Sequence, residues 1–146
     1  MLTFWVFIHL VGVLGFLAAH GTSTAVALRL RRQRDREQVR ALLDLSRSMR
    51  PVNDVSLLLL LVGGVAAAIE AHLWTQMWLD LSLGLFIALA AIGVPILVRH
   101  FRGIRAALGS EATLETLLRS NLPVAFALVG GVALLFILWL MVAKPF

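Results

Sequence analysis

LPVAFALVGGVALLFILWLMV, at residues 122–142, contains no charged side chain and decides the fold class. A helix of about 20 apolar residues crosses the roughly 30 Å hydrocarbon core of a bilayer. Because lipid cannot hydrogen-bond a free backbone, such a run must be helical. Three further apolar runs precede it. The sequence therefore predicts an all-α, four-helix transmembrane bundle in one domain over residues 1–146, with spans at about 4–28, 55–74, 77–98 and 122–142.

The composition of the whole chain agrees with this prediction. Of its 146 residues, 60% are hydrophobic and 14% are charged, whereas about a quarter of the residues of a soluble domain are charged. These values exclude an ordinary cytosolic enzyme, a disordered chain and a soluble nucleic-acid binder. No nucleic acid is expected as a partner. The chain has no cysteine, which excludes disulfides and thiolate metal sites.

The arginines predict how the spans are oriented. Of the 13 basic residues, eight are arginines between Arg29 and Arg50, and four are arginines between Arg99 and Arg119. Both clusters lie in loops at the same end of the predicted bundle, and arginine-rich loops mark the cytoplasmic side. We therefore expect a multi-pass protein of the bacterial inner (cytoplasmic) membrane with both chain ends outside. The tryptophans fall near the predicted outer boundary: Trp5, Trp74, Trp78 and Trp139.

The two basic loops are predicted to be amphipathic connecting helices. Between Arg34 and Arg50, apolar residues recur near helical spacing, with arginines on the other faces. Such a helix lies on the membrane surface, and its arginines contact anionic lipid head groups. The residues expected to make these contacts with the bilayer are Arg31, Arg32, Arg34 and Arg36.

Two short sequences recur along the chain. LVGGVA occurs at residues 61–66 and again at 128–133, and LAAHG at 17–21 resembles LAAIG at 89–93. One interpretation is a duplicated helical hairpin, which gives a parallel repeat about an axis along the membrane normal. The other is chance similarity in a chain rich in leucine, alanine and glycine.

Away from the span ends, three ionisable residues fall inside the predicted spans: His9, His20 and Glu70. His72 and His100 sit at span ends, and Asp80 lies in the first turn of the third span. Charged or titratable groups in lipid are costly and are functional candidates by default. His9 and His20 are 11 positions apart, which returns nearly to the same helix face about 16 Å along the axis. His9 and Glu70 are predicted at matching depth, facing each other. His20 lies deeper and has no evident acidic partner.

These residues allow three interpretations. In the first, His9 is an axial ligand to haem b, Gly12 and Gly15 make room for the ring, and His20 serves a second haem or a partner chain. In the second, His9 and Glu70 form a proton-accepting or metal pair in a small transporter. In the third, the same groups are structural hydrogen bonds between helices.

The stretch FIHLVGVLGFLAAHG at residues 7–21, with VALRLRRQRD at 26–35, resembles short bacterial four-helix integral membrane proteins of unknown function. In pattern these resemble the membrane domain of copper-resistance protein D and the haem-dependent membrane protoporphyrinogen oxidases. In those oxidases a first-helix histidine is a haem ligand, which implies His9 here. Their longer aromatic motif and the basic residue of a later helix have no counterpart in this chain. The resemblance therefore implies haem binding without the oxidase reaction.

Together these observations favour a small membrane protein that binds haem b and takes part in electron transfer. The alternative is a non-catalytic membrane subunit or assembly factor. Its small-residue helix faces would dock a membrane-protein partner or a second copy of the chain. Glycine steps inside apolar spans are typical of such close helix contacts, and they serve packing within the bundle equally well.

Overall fold

The computed structural model describes residues 1–145, and all the regular secondary structure in that range is helical. A short 3-10 helix occupies Ala107–Gly109. The six α-helices are α1 (Leu2–Leu30), α2 (Arg36–Ser48), α3 (Arg50–Glu70), α4 (Met77–Ala106), α5 (Glu111–Leu118) and α6 (Leu122–Ala143). Four of the helical stretches are long and apolar enough to cross a membrane, as the sequence predicts.

The same order of elements occurs twice. Long α1, short α2 and long α3 are followed by long α4, short α5 and long α6. Within each unit the two long helices pack against each other, and α1 also contacts α6. Both copies of LVGGVA lie in the last long helix of their unit, and LAAHG and LAAIG lie in the first. The repeated short sequences therefore occupy equivalent places in the two units.

The main apolar core lies at one end of the molecule, where both short helices sit. We call this the basic end, because the arginine-rich segments 29–50 and 99–119 lie there. Both units supply equivalent elements to the core, so it joins them together. Its buried members are Val26 and Leu30 of α1, Val39 and Leu43 of α2, Ile104 of α4, Ala107 of the 3-10 turn, and Leu114 and Leu118 of α5.

The short helices are amphipathic, as predicted, but their apolar faces are covered by protein. Val39 and Leu43 are almost completely buried against the long helices. Asp35 caps α2 by accepting a hydrogen bond from the Glu37 backbone N–H at 2.9 Å. The arginines of α2 lie on its exposed faces. The helix therefore turns its apolar face to the core and its basic face outward.

Two boundaries of the second span differ from the prediction. The helix α3 ends at Glu70, and a turn begins at Ala71, so the segment up to Trp74 is not helical. His72 stands in this turn with a φ of 54°, a left-handed conformation that interrupts a helix. At the other end, the helix begins at Arg50 rather than at about residue 55, and only Met49 separates it from α2. Pro51 is compatible with this early start because proline fits the first turn of a helix.

The opposite end of the molecule carries the four tryptophans, and we call it the tryptophan end. Trp5 lies near the start of α1, Trp78 in the first turn of α4 and Trp139 near the end of α6. Trp78 is buried, and the Lys144 ammonium lies 5.8 Å from the centre of its ring. Most large apolar side chains between the two ends are exposed, which is the pattern of surfaces in contact with lipid.

Candidate functional site

The closest contact between helices in the molecule joins α1 and α3, and glycines make it. A methyl group on Gly12 would lie 2.7 Å from the Cα atom of Leu60. A methyl group on Gly63 would lie 2.5 Å from the backbone nitrogen of His9. Each glycine therefore receives the backbone of the opposite helix. Small residues allow this approach in membranes, where packing rather than the hydrophobic effect drives helix association.

His9 lies at the centre of this contact. Its Nδ1 atom is 2.8 Å from the carbonyl oxygen of Leu60, across the helix interface. A carbonyl only accepts hydrogen bonds, so Nδ1 donates and carries the proton. The ring lies against Gly64, where a Cβ atom would come within 2.8 Å of Nδ1. The Gly63–Gly64 step therefore admits both the backbone and the ring of His9.

The glycines beside His9 face α3 and do not form a cleft. Gly12 is covered by the backbone of Leu59 and Leu60, and Gly15 by the side chain of Ser56. From the sequence alone, these two glycines are expected to make room for a haem ring. That expectation is wrong, because the same absence of side chains allows α3 to approach and fill the space.

Glu70 does not pair with His9. One of its carboxylate oxygens lies 3.3 Å from the amino group of Met1. Since α1 and α3 run antiparallel with Gly63 beside His9, Glu70 is seven positions further along, or about 10 Å. The predicted matching depth of His9 and Glu70 is therefore wrong. It assumed that the helix of the second span continued to Trp74.

His20 belongs to a different contact, between α1 and the second unit. Its ring stacks on Phe16 with the ring centres 5.7 Å apart, and Phe16 meets Phe86 of α4 edge to face. A methyl group on Gly130 of α6 would lie 3.8 Å from His20 Nε2. His9 and His20 therefore lie in two different interfaces of α1, although their 11-residue spacing places them on nearly the same face of the helix.

The four arginines predicted to contact head groups have different surroundings. Arg31 donates to the side-chain oxygen of Asn121 at 2.6 Å, which links α1 to the start of α6. Arg36 lies 3.9 Å from the carboxylate of Glu111. Arg32 and Arg34 are exposed. All four lie at the basic end, as expected, but only Arg31 and Arg32 line a pocket.

One known protein family matches the chain over nearly its whole length. A family model described as "Predicted integral membrane protein (DUF2269)" matches residues 3–145, from α1 to the end of α6. The chain belongs to this family. Membership in DUF2269 agrees with the four apolar helices. No curated protein and no solved structure matches the chain. The comparisons therefore give no evidence for the resemblance to copper-resistance protein D or to the protoporphyrinogen oxidases.

Two hydrogen-bond partners in the structure were not predicted from the sequence. The carbonyl oxygen of Leu60 is the partner of His9, and Asn121 is the partner of Arg31. A backbone carbonyl has no sequence signal, and the second lone pair of a helical carbonyl can bind another helix only where the two approach closely. The repeated Gly63–Gly64 step is the one signal that could have located it, because it marks where α3 admits a neighbour.

Proposed function

We propose that this member of the family binds haem b through His9 and takes part in electron transfer. The observation that supports the proposal is the hydrogen bond from His9 Nδ1 to the carbonyl oxygen of Leu60. In the tautomer with the proton on Nδ1, the lone pair of the imidazole lies on Nε2, the atom that would bind iron. Histidines that bind metals commonly donate their other N–H to a backbone carbonyl in this way.

The access to Nε2 also supports the proposal. Among residues 1–145, one side-chain nitrogen or oxygen is buried without a hydrogen-bond partner, and it is Arg31 Nε. No atom of His9 is in that state. His9 is part-buried, and its Nε2 has no partner among the hydrogen bonds of the structure. Nε2 is therefore not fully buried, and no group of residues 1–145 uses its lone pair.

The donor chemistry fits haem, whereas the space between α1 and α3 does not. His9 would supply one imidazole ligand, while α3 fills the cleft next to Gly12 and leaves no space for a haem ring there. His20 is 11 positions away, about 16 Å along α1, and cannot bind the same iron. Bound haem would supply a one-electron iron couple. The chain fixes the tautomer and the orientation of the His9 ring.

Absorption spectra of purified variants test this proposal. The protein is expressed with haem available and purified in detergent, and its spectra are recorded oxidised and reduced. We expect a Soret band that shifts on reduction, is lost in His9→Ala and returns when free imidazole is added. His72→Asn is the matched control, since asparagine tolerates the left-handed backbone at that position. A colourless wild-type protein contradicts the proposal.

A second candidate is a non-catalytic membrane subunit, in which His9 only holds two helices together. The reciprocal insertion of Gly12 and Gly63 around His9 favours it, because this makes the α1–α3 pair a rigid unit for assembly. In that case His9→Ala lowers stability without changing any spectrum, and imidazole restores nothing. Gentle purification would then recover the chain with another membrane protein or a second copy.

We also propose that the protein lies in the bacterial inner membrane with its basic end in the cytoplasm. The support for this is the location of both arginine-rich segments at one end of the structure. The third function considered from the sequence, a transporter using His9 and Glu70, has less support. The structure gives these two residues separate partners.

A further inference from the structure

A pocket of about 580 Å³ lies at the basic end, between the C-terminal end of α1 and the chain before α6. Three of its arginines come from the first helical unit and one from the second. The pocket therefore lies at the junction between the two units. We call it the arginine pocket, and it is lined by Leu28, Arg29, Arg31, Arg32 and Arg119.

The positive charge of the arginine pocket is largely uncompensated. Arg119 is paired with Glu115, with 2.7 Å between the guanidinium nitrogen and the carboxylate oxygen. Among residues 1–145, no carboxylate forms an ion pair with the other three arginines of the pocket. Guanidinium groups that share one pocket repel one another, and a bound anion removes that repulsion.

One donor in the pocket region lacks the partner that its burial requires. Arg31 is held in place because its Nη2 atom donates to Asn121 Oδ1 at 2.6 Å. Its Nε atom is buried and has no hydrogen-bond partner, and no other side-chain nitrogen or oxygen of residues 1–145 is in that state. Buried polar groups in proteins are nearly always satisfied. Arg31 therefore keeps a donor that no group of residues 1–145 uses.

The start of α6 adds to the positive potential. Asn121, the partner of Arg31, is the N-cap residue of this 22-residue helix. The N-terminus of a helix carries a partial positive charge and favours anions. Two features thus add positive potential near the pocket: guanidinium groups without ion-pair partners, and the N-terminus of α6, which Asn121 links to Arg31.

We propose that the arginine pocket binds a phosphate group. The planar, multiply donating guanidinium matches the oxygens of phosphate, which accept two hydrogen bonds side by side. The phosphate is carried by an anionic phospholipid of the adjoining leaflet or is free in solution, since the pocket has both an apolar wall, Leu28, and an open rim. Arg34 and Arg36 lie outside the pocket, and Arg36 faces Glu111 instead.

The experiment uses the full chain in neutral maltoside micelles at constant ionic strength. Thermal unfolding is followed by circular dichroism while inorganic phosphate is added, and separately while phosphatidic acid is added to the micelles. Phosphatidylcholine serves as the blank lipid. We expect a saturable rise in Tm for the wild type, and an apparent Kd about tenfold weaker for Arg31→Gln, as for the loss of one charged hydrogen bond.

Two further variants keep the test decisive. Arg32→Gln removes a lining guanidinium without affecting the bond to Asn121, so it replaces Arg31→Gln if that variant does not fold. Arg47→Gln removes the same charge outside the pocket, on an exposed face of α2, and is expected to respond like the wild type. A response to inorganic phosphate supports a free ligand, and a response to phosphatidic acid alone supports a head group. No stabilisation in either arm, or an equal loss in all three variants, overturns the proposal.

Discussion

Replacing Gly12 with alanine tests the close contact of α1 with α3. The added methyl group would lie 2.7 Å from Leu60 Cα and 2.8 Å from the carbonyl carbon of Leu59. Both atoms belong to the backbone, so no side chain can rotate away. The backbone nitrogen of Leu60 lies closer still, so the two helices must separate by more than about 0.7 Å to reach an ordinary contact near 3.4 Å. A gap of about 0.5–1 Å already forfeits a quarter to a half of the dispersion energy of each contact.

Overpacking of this kind costs about 1–3 kcal/mol. The matched control is Gly21→Ala in the same helix, where a methyl group would meet no atom within 4 Å. Both substitutions gain the same helix propensity, about 1 kcal/mol, which therefore cancels in the comparison. We expect Gly12→Ala to be about 2 kcal/mol less stable than Gly21→Ala.

The free energy of unfolding can be measured by titrating sodium dodecyl sulfate into maltoside micelles and following circular dichroism at 222 nm. Gly63→Ala, on the opposite helix, is expected to behave like Gly12→Ala, because its methyl group would lie 2.5 Å from the His9 backbone nitrogen. Equal stability of Gly12→Ala and Gly21→Ala would contradict this contact, since it would mean that α3 does not lie against Gly12.

Three further predictions concern other parts of the molecule. His9→Ala should lower the free energy of unfolding by about 0.6–2 kcal/mol through loss of the interhelical hydrogen bond, and an unchanged value would contradict that bond. Leu43→Ala should cost about 2–5 kcal/mol in the same titration because Leu43 is 3% exposed. Leu45→Ala, at a residue 46% exposed, should change stability by less than about 0.5 kcal/mol, and equal losses would contradict the position of the basic-end core. A cysteine replacing Thr75 should react with an impermeant thiol reagent outside intact cells, whereas one replacing Arg40 should be protected, and the reverse labelling would overturn the orientation.

The membrane-spanning architecture could be predicted from the sequence because it depends on composition alone. A run such as residues 122–142 has one stable conformation in lipid, whatever its neighbours are. The amphipathic helix α2 was predictable for a similar reason, since the spacing of Val39 and Leu43 is local. What covers that apolar face was not predictable, because Ile104 and Leu114 come from far along the chain.

The candidate site was predictable only in part. His9 stands out as a titratable residue inside an apolar helix, but its partner depends on the register between α1 and α3. That register is set by the fit of Gly12 and Gly63 to the opposite backbones, which a single sequence does not encode visibly. Estimating depth from the span boundaries failed because the left-handed turn at His72 ends α3 early. The arginine pocket likewise depends on Arg119, distant in sequence from α1.

The most direct test of the proposed function is the absorption spectrum of the purified protein, oxidised and then reduced. If haem binds through His9, we expect a Soret band that shifts on reduction, disappears in His9→Ala and is restored by free imidazole. His72→Asn should keep the wild-type spectrum. A colourless protein from cells supplied with haem would contradict this proposal, as would an unchanged spectrum in His9→Ala. Either result would leave His9 as the residue that joins α1 to α3 through Leu60.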